Sequence, residues 1–498
     1  MDGCVLAIDL GTSGPKVAVV DRTGRALSWA NAPVRTMLIA SGGAEQDPHE
    51  MWQAIVVACR SAMAVLRPVP PIVAVAVTSQ YMSTIPVTAD GTPTGPCVLW
   101  MDTRGAAHSM SLLDDTTFML FVERHGLIPL PSGNDNVAHA WVLRHHHPDA
   151  YERATALVEP MDYITARLTG RVTATQSTVF GQLVCDNRTW GTTEYDPELV
   201  AATGLDPDRL PALVPMWGAV GEVRPGPADE LGIPAGIPVV PGTIDSITSA
   251  VGSAALDPTS TSVVIGTTAV TVSHIGEQRS DLLNGLLAVP SPLHGMYYAM
   301  AENGVGGRAL EWAMQLFGYS DPDAACADAA TVEAGSAGVA FLPWLLGSLA
   351  PSPDEDVRAA FVGLGLEHGR RHAVRAVLEG VALNLAWLQP RFDEFTGHAA
   401  PFVRFGGGGA MSPLWAQMLA DALDRPVHRL AAPRVTNARG AAFLAFADLA
   451  GLDLATVPDL IEVEAVHEPD PHHRAVMEAG VARLAALHPT LSGIARQP

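Results

Sequence analysis

VLAIDLGTSGPKVAVVDRTGRAL, from Val5 to Leu27, and TSVVIGTTAVTVSHIG, from Thr261 to Gly276, decide the fold. Each is an apolar run, then Gly-Thr-(Ser/Thr), then a second apolar run. The apolar runs are short and rich in valine and isoleucine, the composition of buried strands. The Gly-Thr junction reads as a tight hairpin turn. The second copy begins just past mid-chain, so the likeness predicts two halves built on one plan.

Outward from these hairpins, strands alternate with helical patterns. IVAVAVTSQ and IPVVPG read as strands, PHEMWQAIVVACRSAMAVL and the stretch from Arg370 to Trp387 as helices. HHRAVMEAGVARLAALH near the end reads as an amphipathic closing helix. The alternation predicts α/β layers with mixed sheets. The boundary falls near Leu256-Asp257-Pro258, giving domains 1–256 and 257–498.

Composition narrows the function classes. At 498 residues, 48% hydrophobic and 16% charged, the chain is core-rich and long enough for two domains. Its net charge of −22 comes without a basic stripe, which argues against nucleic acid or an anionic membrane as partner. Cys4, Cys59, Cys97, Cys185 and Cys326 form no CxxC pair, which fits a reducing cytoplasm and no zinc site. The uncharged run Ala334 to Pro353 carries three prolines and three glycines and makes a poor membrane span. His145-His146-His147 sits before Pro148 at a helix end, where histidines suit the dipole better than they suit a metal.

Three glycine-containing turns are candidate phosphate sites. In Asp9-Leu-Gly11-Thr12-Ser13-Gly-Pro-Lys16, glycine allows close backbone approach, and the N–H and hydroxyl groups that follow suit phosphate oxygens. Asp9 suits a hydrated magnesium ion, and Lys16 offers a cation. Gly266-Thr267-Thr268 is the matching turn, and the two together would clamp a triphosphate between domains. Gly406 to Ala410, with Gly408 and Gly409 at its centre, follows the apolar FVRF and opens a helix from Pro413 to Ala422. Such a loop suits adenine or an anion. There is no GxxxxGK(S/T) loop and no dinucleotide fingerprint.

DLGTSGPK, EQDPHEMW, TSQYM, LWMDTRG, PGTIDSITSAVG, IGTT, RAVLEGVALNL, GGGGAMSPLWAQMLAD and NARGAAFLA occur in this order between Val5 and Leu449. In that ordered set the chain resembles the FGGY family of carbohydrate kinases. The resemblance implies two actin-like (RNase H-like) domains around a cleft. It also implies ATP and Mg2+ as cofactors, and a small sugar or polyol, such as a ketopentose, as substrate. It puts the catalytic base on Asp245 and nucleotide contacts on Gly11, Thr12, Gly266, Thr267, Gly307, Glu311, Gly409 and Ala410. The sugar falls on Gln80, Tyr81, Met82, Trp100, Asp102, Asp245 and Ser246, and the metal on Asp9 and Asp245. A homodimer is left open.

Asp245 lies between the strand IPVV and the small-residue run SITSAVGSAAL. A helix N-terminus there favours the ionised carboxylate and predicts a lowered pKa. Read alone, Asp245 fits helix capping better than catalysis; beside the surrounding motifs, catalysis leads. The acids around Asp354 read as a solvated loop. Two departures bear on the substrate. The family's glycerol kinases carry Arg-Glu where this chain has Tyr81-Met82, which disfavours glycerol. Its xylulokinases carry Met-His there, and commonly Gly-Glu-Arg-Thr-Pro where this chain has Gly347-Ser348-Leu349-Ala350-Pro351. Two alternatives compete: an inactive sugar- or nucleotide-binding regulator, and a chaperone-type or cytoskeletal ATPase of the same superfamily. Asp9, Thr12 and Asp245 argue against the first, TSQYM and LWMDTRG against the second.

Overall fold

The computed structural model describes residues 3–495. The first hairpin is β1 (Cys4–Gly11) and β2 (Gly14–Asp21), antiparallel, with Gly11 opposite Gly14 across the turn. Gly14 has φ +129°, and a Cβ there would sit 2.0 Å from the Ala32 carbonyl oxygen, so only glycine closes this turn. β3 (Ala26–Asn31) continues antiparallel. α1 (Pro48–Ala64) starts cleanly because Asp47 accepts the His49 N–H and Pro48 needs no donor. It buries Met51, Trp52, Ile55, Ala58, Cys59 and Ala62 against β2 and β3. β4 (Ile72–Ser79) then runs parallel to β1. Short strands β5 (Gly221–Glu222), β6 (Pro238–Val239) and β7 (Thr243–Ile244) finish the seven-stranded sheet, ordered β5-β6-β4-β1-β2-β3 with β7 beside β4. Helix α2 (Asp245–Gly252) follows at once.

The second large sheet repeats the plan. β8 (Thr261–Ile265) and β9 (Thr268–Ile275) form the matching hairpin. After the small strand β10 (Ser280–Asp281), β11 (Leu286–Pro290) and β12 (Tyr297–Val305) extend it antiparallel. Helices α3 (Gly307–Phe317) and α4 (Arg370–Thr396) come next. β13 (Val403–Gly406) lies parallel to β8, as β4 lies parallel to β1. α5 (Pro413–Leu423), β14 (Val427–Leu430), α6 (Thr436–Ala450), β15 (Val463–His467) and α7 (Arg474–Ala495) complete the chain. The eight strands run β10-β11-β12-β9-β8-β13-β14-β15. The repeated hairpin therefore marks the centre of each sheet.

The sequence reading placed α4 over Arg370 to Trp387. The helix runs on to Thr396, because Phe392 and Phe395 still meet the core beyond that point. α7 packs on α4 and α5, as a closing helix should.

One packing relation was hidden in the linear reading. α6, from the second half, covers the first sheet: Ala438, Ala441, Ala442, Ala445 and Phe446 meet Val5, Ala7, Ala18, Val20, Ala74 and Ala76. It also crosses α2 through glycines, with a Cβ on Gly252 falling 2.0 Å from the Thr436 carbonyl oxygen. The helix carrying Asp245 is thus locked against a helix nearly two hundred residues away. In the loop expected to be solvated, Glu355 and Asp356 are exposed and Asp354 is not. Asp354 is buried, accepts the Asp356 and Val357 N–H groups, and takes the Ser492 hydroxyl of α7.

Candidate active site

The first hairpin tip touches the loop after β4, Asp245 at the start of α2 lies near Asp9 and Lys16 of that hairpin, and Glu302, bonded to Thr268 of the second tip, lies near Asp245 as well. At the first tip, Asp9 is buried and receives Lys16 Nζ at 3.4 Å and Asn437 Nδ2 of α6 at 3.4 Å. Gly11 and Thr12 are partly buried and Ser13 is exposed. Thr12 Oγ1 donates to Gln80 Oε1 (2.7 Å) and accepts from Trp100 Nε1 (3.1 Å). Gln46 Nε2 donates to the Thr12 carbonyl (2.7 Å), and Gln80 Nε2 donates to Gln46 Oε1 (3.1 Å). Trp100 is therefore tied to the first Gly-Thr turn. Gln80 is buried, with both ends of its amide engaged.

At the second tip Gly266 and Thr267 are exposed. The Gly307 N–H donates to the Gly266 carbonyl (2.8 Å), and the Gly306 N–H to that of Thr267 (3.1 Å), so α3 begins at the turn. Gly307 permits this contact: a Cβ would lie 2.5 Å from the Gly266 oxygen. Glu311 follows one turn later on the same helix face and is exposed. The loop after β13 presses on β8, with a Cβ on Gly409 falling 2.7 Å from the Ile265 Cβ. Gly408 is exposed there, while Gly409 and Ala410 are buried beneath it.

Asp245 is the first residue of α2, and the capping position belongs to Ile244, with no side-chain cap. Its carboxylate accepts the Ser246 N–H of the first turn. Burial, then the negative charge of Asp9, push it up to about 7. The Ser246 N–H and Lys16 oppose this, and Glu302 adds to it. The expected lowering by the helix dipole is overturned. The dipole offers about half a charge from an eight-residue helix, while desolvation and a neighbouring carboxylate both penalise ionisation. Ser246, partly exposed, follows Asp245 and lies near the buried Tyr298 hydroxyl.

Glu302 of β12 was missed by sequence reasoning. Burial pushes its carboxyl up to about 7, eased by a hydrogen bond to the Thr268 side chain at the second tip. A lone acid in the apolar strand YYAMAENGV was its signal. Gln46, fully buried within EQDP, was missed as well.

The loop after β4 forms the far wall. Met82 holds φ +52°, a left-handed conformation costly for a side chain with a Cβ. It is clamped from below: the Ser83 N–H donates to Glu159 Oε2 (3.0 Å), and Asn136 Nδ2 bridges the Ser83 carbonyl (3.1 Å) and Glu159 Oε1 (2.8 Å). Glu159 is buried, and desolvation holds its carboxyl well above the usual range. The Tyr81 phenol is raised by burial first and then by Glu159.

Asp102 is a correction. It is wholly buried, accepts the Ala44 N–H (2.9 Å), and is gripped by Arg104 Nε (3.0 Å) and Nη2 (2.5 Å). Arg104 goes on to Glu45 (2.6 Å), which meets His147 Nε2 (2.8 Å). The guanidinium folds back two residues and takes the oxygens expected to reach sugar, so Asp102 braces the pocket from behind. His145 stacks on Trp141 with ring centroids 4.3 Å apart, in keeping with a structural role for the histidine run. Among the described residues no group of three or more His, Cys, Asp or Glu is arranged to hold a metal.

The chain is 27% identical over 470 residues to a xylulose kinase of Staphylococcus epidermidis, covering 94% of this chain and 92% of the relative. It is 25% identical over 446 residues to a gluconokinase of Bacillus licheniformis, covering 86% and 84%. The solved structure of a ligand-bound xylulose kinase from Lactobacillus acidophilus superposes with a TM-score of 0.86 at 21% identity, over 98% of both chains, and shares the two-domain actin-like fold. The profile of the N-terminal domain of the FGGY family of carbohydrate kinases matches residues 4–252, and that of its C-terminal domain matches residues 261–449. The chain belongs to the FGGY family of carbohydrate kinases.

Proposed function

We propose that this carbohydrate kinase transfers the terminal phosphoryl group of magnesium-bound ATP to a hydroxyl of a neutral ketopentose, xylulose foremost. What supports the reading is the placing of Asp245 near Asp9, Lys16 and Glu302, with the first Gly-Thr turn bonded to Gln80 and Trp100 and Glu302 bonded to Thr268 at the second. The triphosphate would lie between the Gly11-Thr12 and Gly266-Thr267 turns, with adenine toward Gly408 and Gly409.

The donor set fits magnesium. Asp9 and Asp245 place excess negative charge together, offset by Lys16. Magnesium binds through one or two carboxylates plus phosphate oxygens and water, so a full protein cage is not needed. When bound, the ion neutralises charge on the phosphates. Asp245 accepts the proton of the sugar hydroxyl as that oxygen bonds to phosphorus. In a loose phosphoryl-transfer transition state this proton leaves late, so orienting the hydroxyl matters more than base strength.

Charge favours a neutral sugar over a sugar acid. Asp9 stands beside Asp245 and Glu302 at the reacting end, and Tyr81 and Met82 offer no cation opposite. A substrate carboxylate would meet negative charge at the first and no counter-charge at the second. The Tyr81–Met82 pair also lacks charged donors for a small triol. The test is phosphorylation of xylulose, ribulose, gluconate and glycerol with ATP and Mg2+. The reading requires the highest kcat/KM on a ketopentose. Equal or better turnover of gluconate would overturn it.

A further inference from the structure

We infer that Gln46 is a positioning residue that couples occupancy of the sugar pocket to the geometry of the first phosphate turn. It rests on the proposed seating of the sugar against Gln80 and Trp100. The observation is a closed hydrogen-bonded ring. Thr12 Oγ1 reaches Gln80 (2.7 Å), Gln80 reaches Gln46 (3.1 Å), and Gln46 returns to the Thr12 carbonyl (2.7 Å). Gln46 is wholly buried and Gln80 is 3% exposed.

The ring has one polarity. A backbone carbonyl only accepts, so Gln46 must turn its NH2 to Thr12 O, where it also donates to Thr36 Oγ1 (3.0 Å). Its oxygen then faces Gln80, which must present its own NH2. The Gln80 oxygen in turn requires the Thr12 hydroxyl to donate, leaving an oxygen lone pair for Trp100 Nε1–H (3.1 Å). Reversing Gln46 would set donor against donor, and reversing Gln80 would set acceptor against acceptor, in a buried site, at the full cost of unpaired polar groups. Every link is therefore fixed by the Thr12 carbonyl.

Two consequences follow. The Thr12 hydroxyl proton is committed to Gln80, so the turn meets phosphate through its backbone N–H groups. A sugar that presses on Gln80 acts, through Gln46, on the Thr12 carbonyl of the peptide that carries the next N–H, while one that presses on Trp100 meets the Thr12 hydroxyl itself. Binding couplings are reciprocal, so sugar tightens ATP and ATP tightens sugar by the same factor.

The test measures ATP affinity with and without saturating xylulose, and xylulose affinity alone, in wild type, Gln46→Glu and Trp100→Phe. In wild type, xylulose should tighten ATP about fivefold or more. Gln46→Glu removes the donor to Thr12 O while keeping an acceptor for Gln80, and should cut that factor below about twofold. Trp100→Phe should weaken xylulose itself. An unchanged factor in Gln46→Glu, or no factor in wild type while Trp100→Phe still weakens xylulose, overturns the coupling alone. Undiminished xylulose binding in Trp100→Phe overturns the seating and the coupling together. Should Gln46→Glu fail to fold, amide exchange of residues 10–16 in the wild type decides: xylulose alone should slow it, and unchanged exchange overturns the proposal.

Discussion

Gly440 of α6 lies against Thr248 of α2 so closely that a Cβ on Gly440 would sit 1.8 Å from the Thr248 carbonyl oxygen. Thr248 is one turn from Asp245, and its hydroxyl accompanies Thr78 of β4 at 2.9 Å. The position of the proposed base is therefore set by a glycine far along the chain. Gly440→Ala should force the helices apart. Overpacking of this kind costs about 1–3 kcal/mol. Urea unfolding should show that loss, and turnover should fall further than stability accounts for. An alanine variant with normal midpoint and turnover would show the crossing to be pliable.

Asp245→Asn should lower turnover by about 10²–10⁴-fold or more, the usual scale of a general base. Its effect on stability has a definite sign. The folded carboxyl sits at about 7 against an ordinary value of 3.8, so the folded state holds its proton more tightly. Wild-type stability from this group is full below pH 4 and drains away as pH rises through 7. Asparagine carries no such penalty. The variant should melt above wild type at pH 8, with the gap closing toward pH 4. A gap of the opposite sign at pH 8 would mean that the ionised carboxylate is stabilised in the fold.

Glu302→Gln keeps a hydrogen-bonding partner for Thr268 and removes a negative charge that raises Asp245. The rise of kcat/KM for sugar at saturating MgATP follows ionisation of Asp245 in the ATP-bound enzyme. In Glu302→Gln it should move to lower pH. A pH–rate profile that does not move would separate Glu302 from the reacting groups.

Met82→Gly should relieve the left-handed strain, worth about 1–3 kcal/mol, while deleting the pocket wall. The two effects oppose each other in stability, so the melting temperature should stay within a few degrees of wild type, roughly 1 kcal/mol. Sugar KM should rise about tenfold, the equivalent of roughly 1.4 kcal/mol, with ATP KM unchanged. Equal changes in both KM values would show that Met82 supports the whole cleft.

Much of this was legible in order along the chain. The two Gly-Thr hairpins are local: apolar alternation makes the strands, and glycine makes the turns. Asp9, Thr12, Trp100 and Asp245 could be picked out because motif and turn chemistry mark them one by one. Glu302, Gln46 and Glu159 could not, since an isolated acid or amide in an apolar run gives no sign of what will face it.

The sequence by itself determined the doubled α/β plan, the two Gly-Thr turns, the residue that begins α2 and, through the ordered motifs, the family. Only the tertiary structure decided how each charged group behaves. It turned Asp102 away from the cleft by bringing Arg104 onto both its oxygens, and it raised Asp245 where the helix alone would have lowered it. Strand and turn formation depend on neighbours a few residues away, which a sequence displays. Ionisation depends on the water removed and the charges brought near by segments far apart in the chain, here β1, β12 and α6 closing around the start of α2.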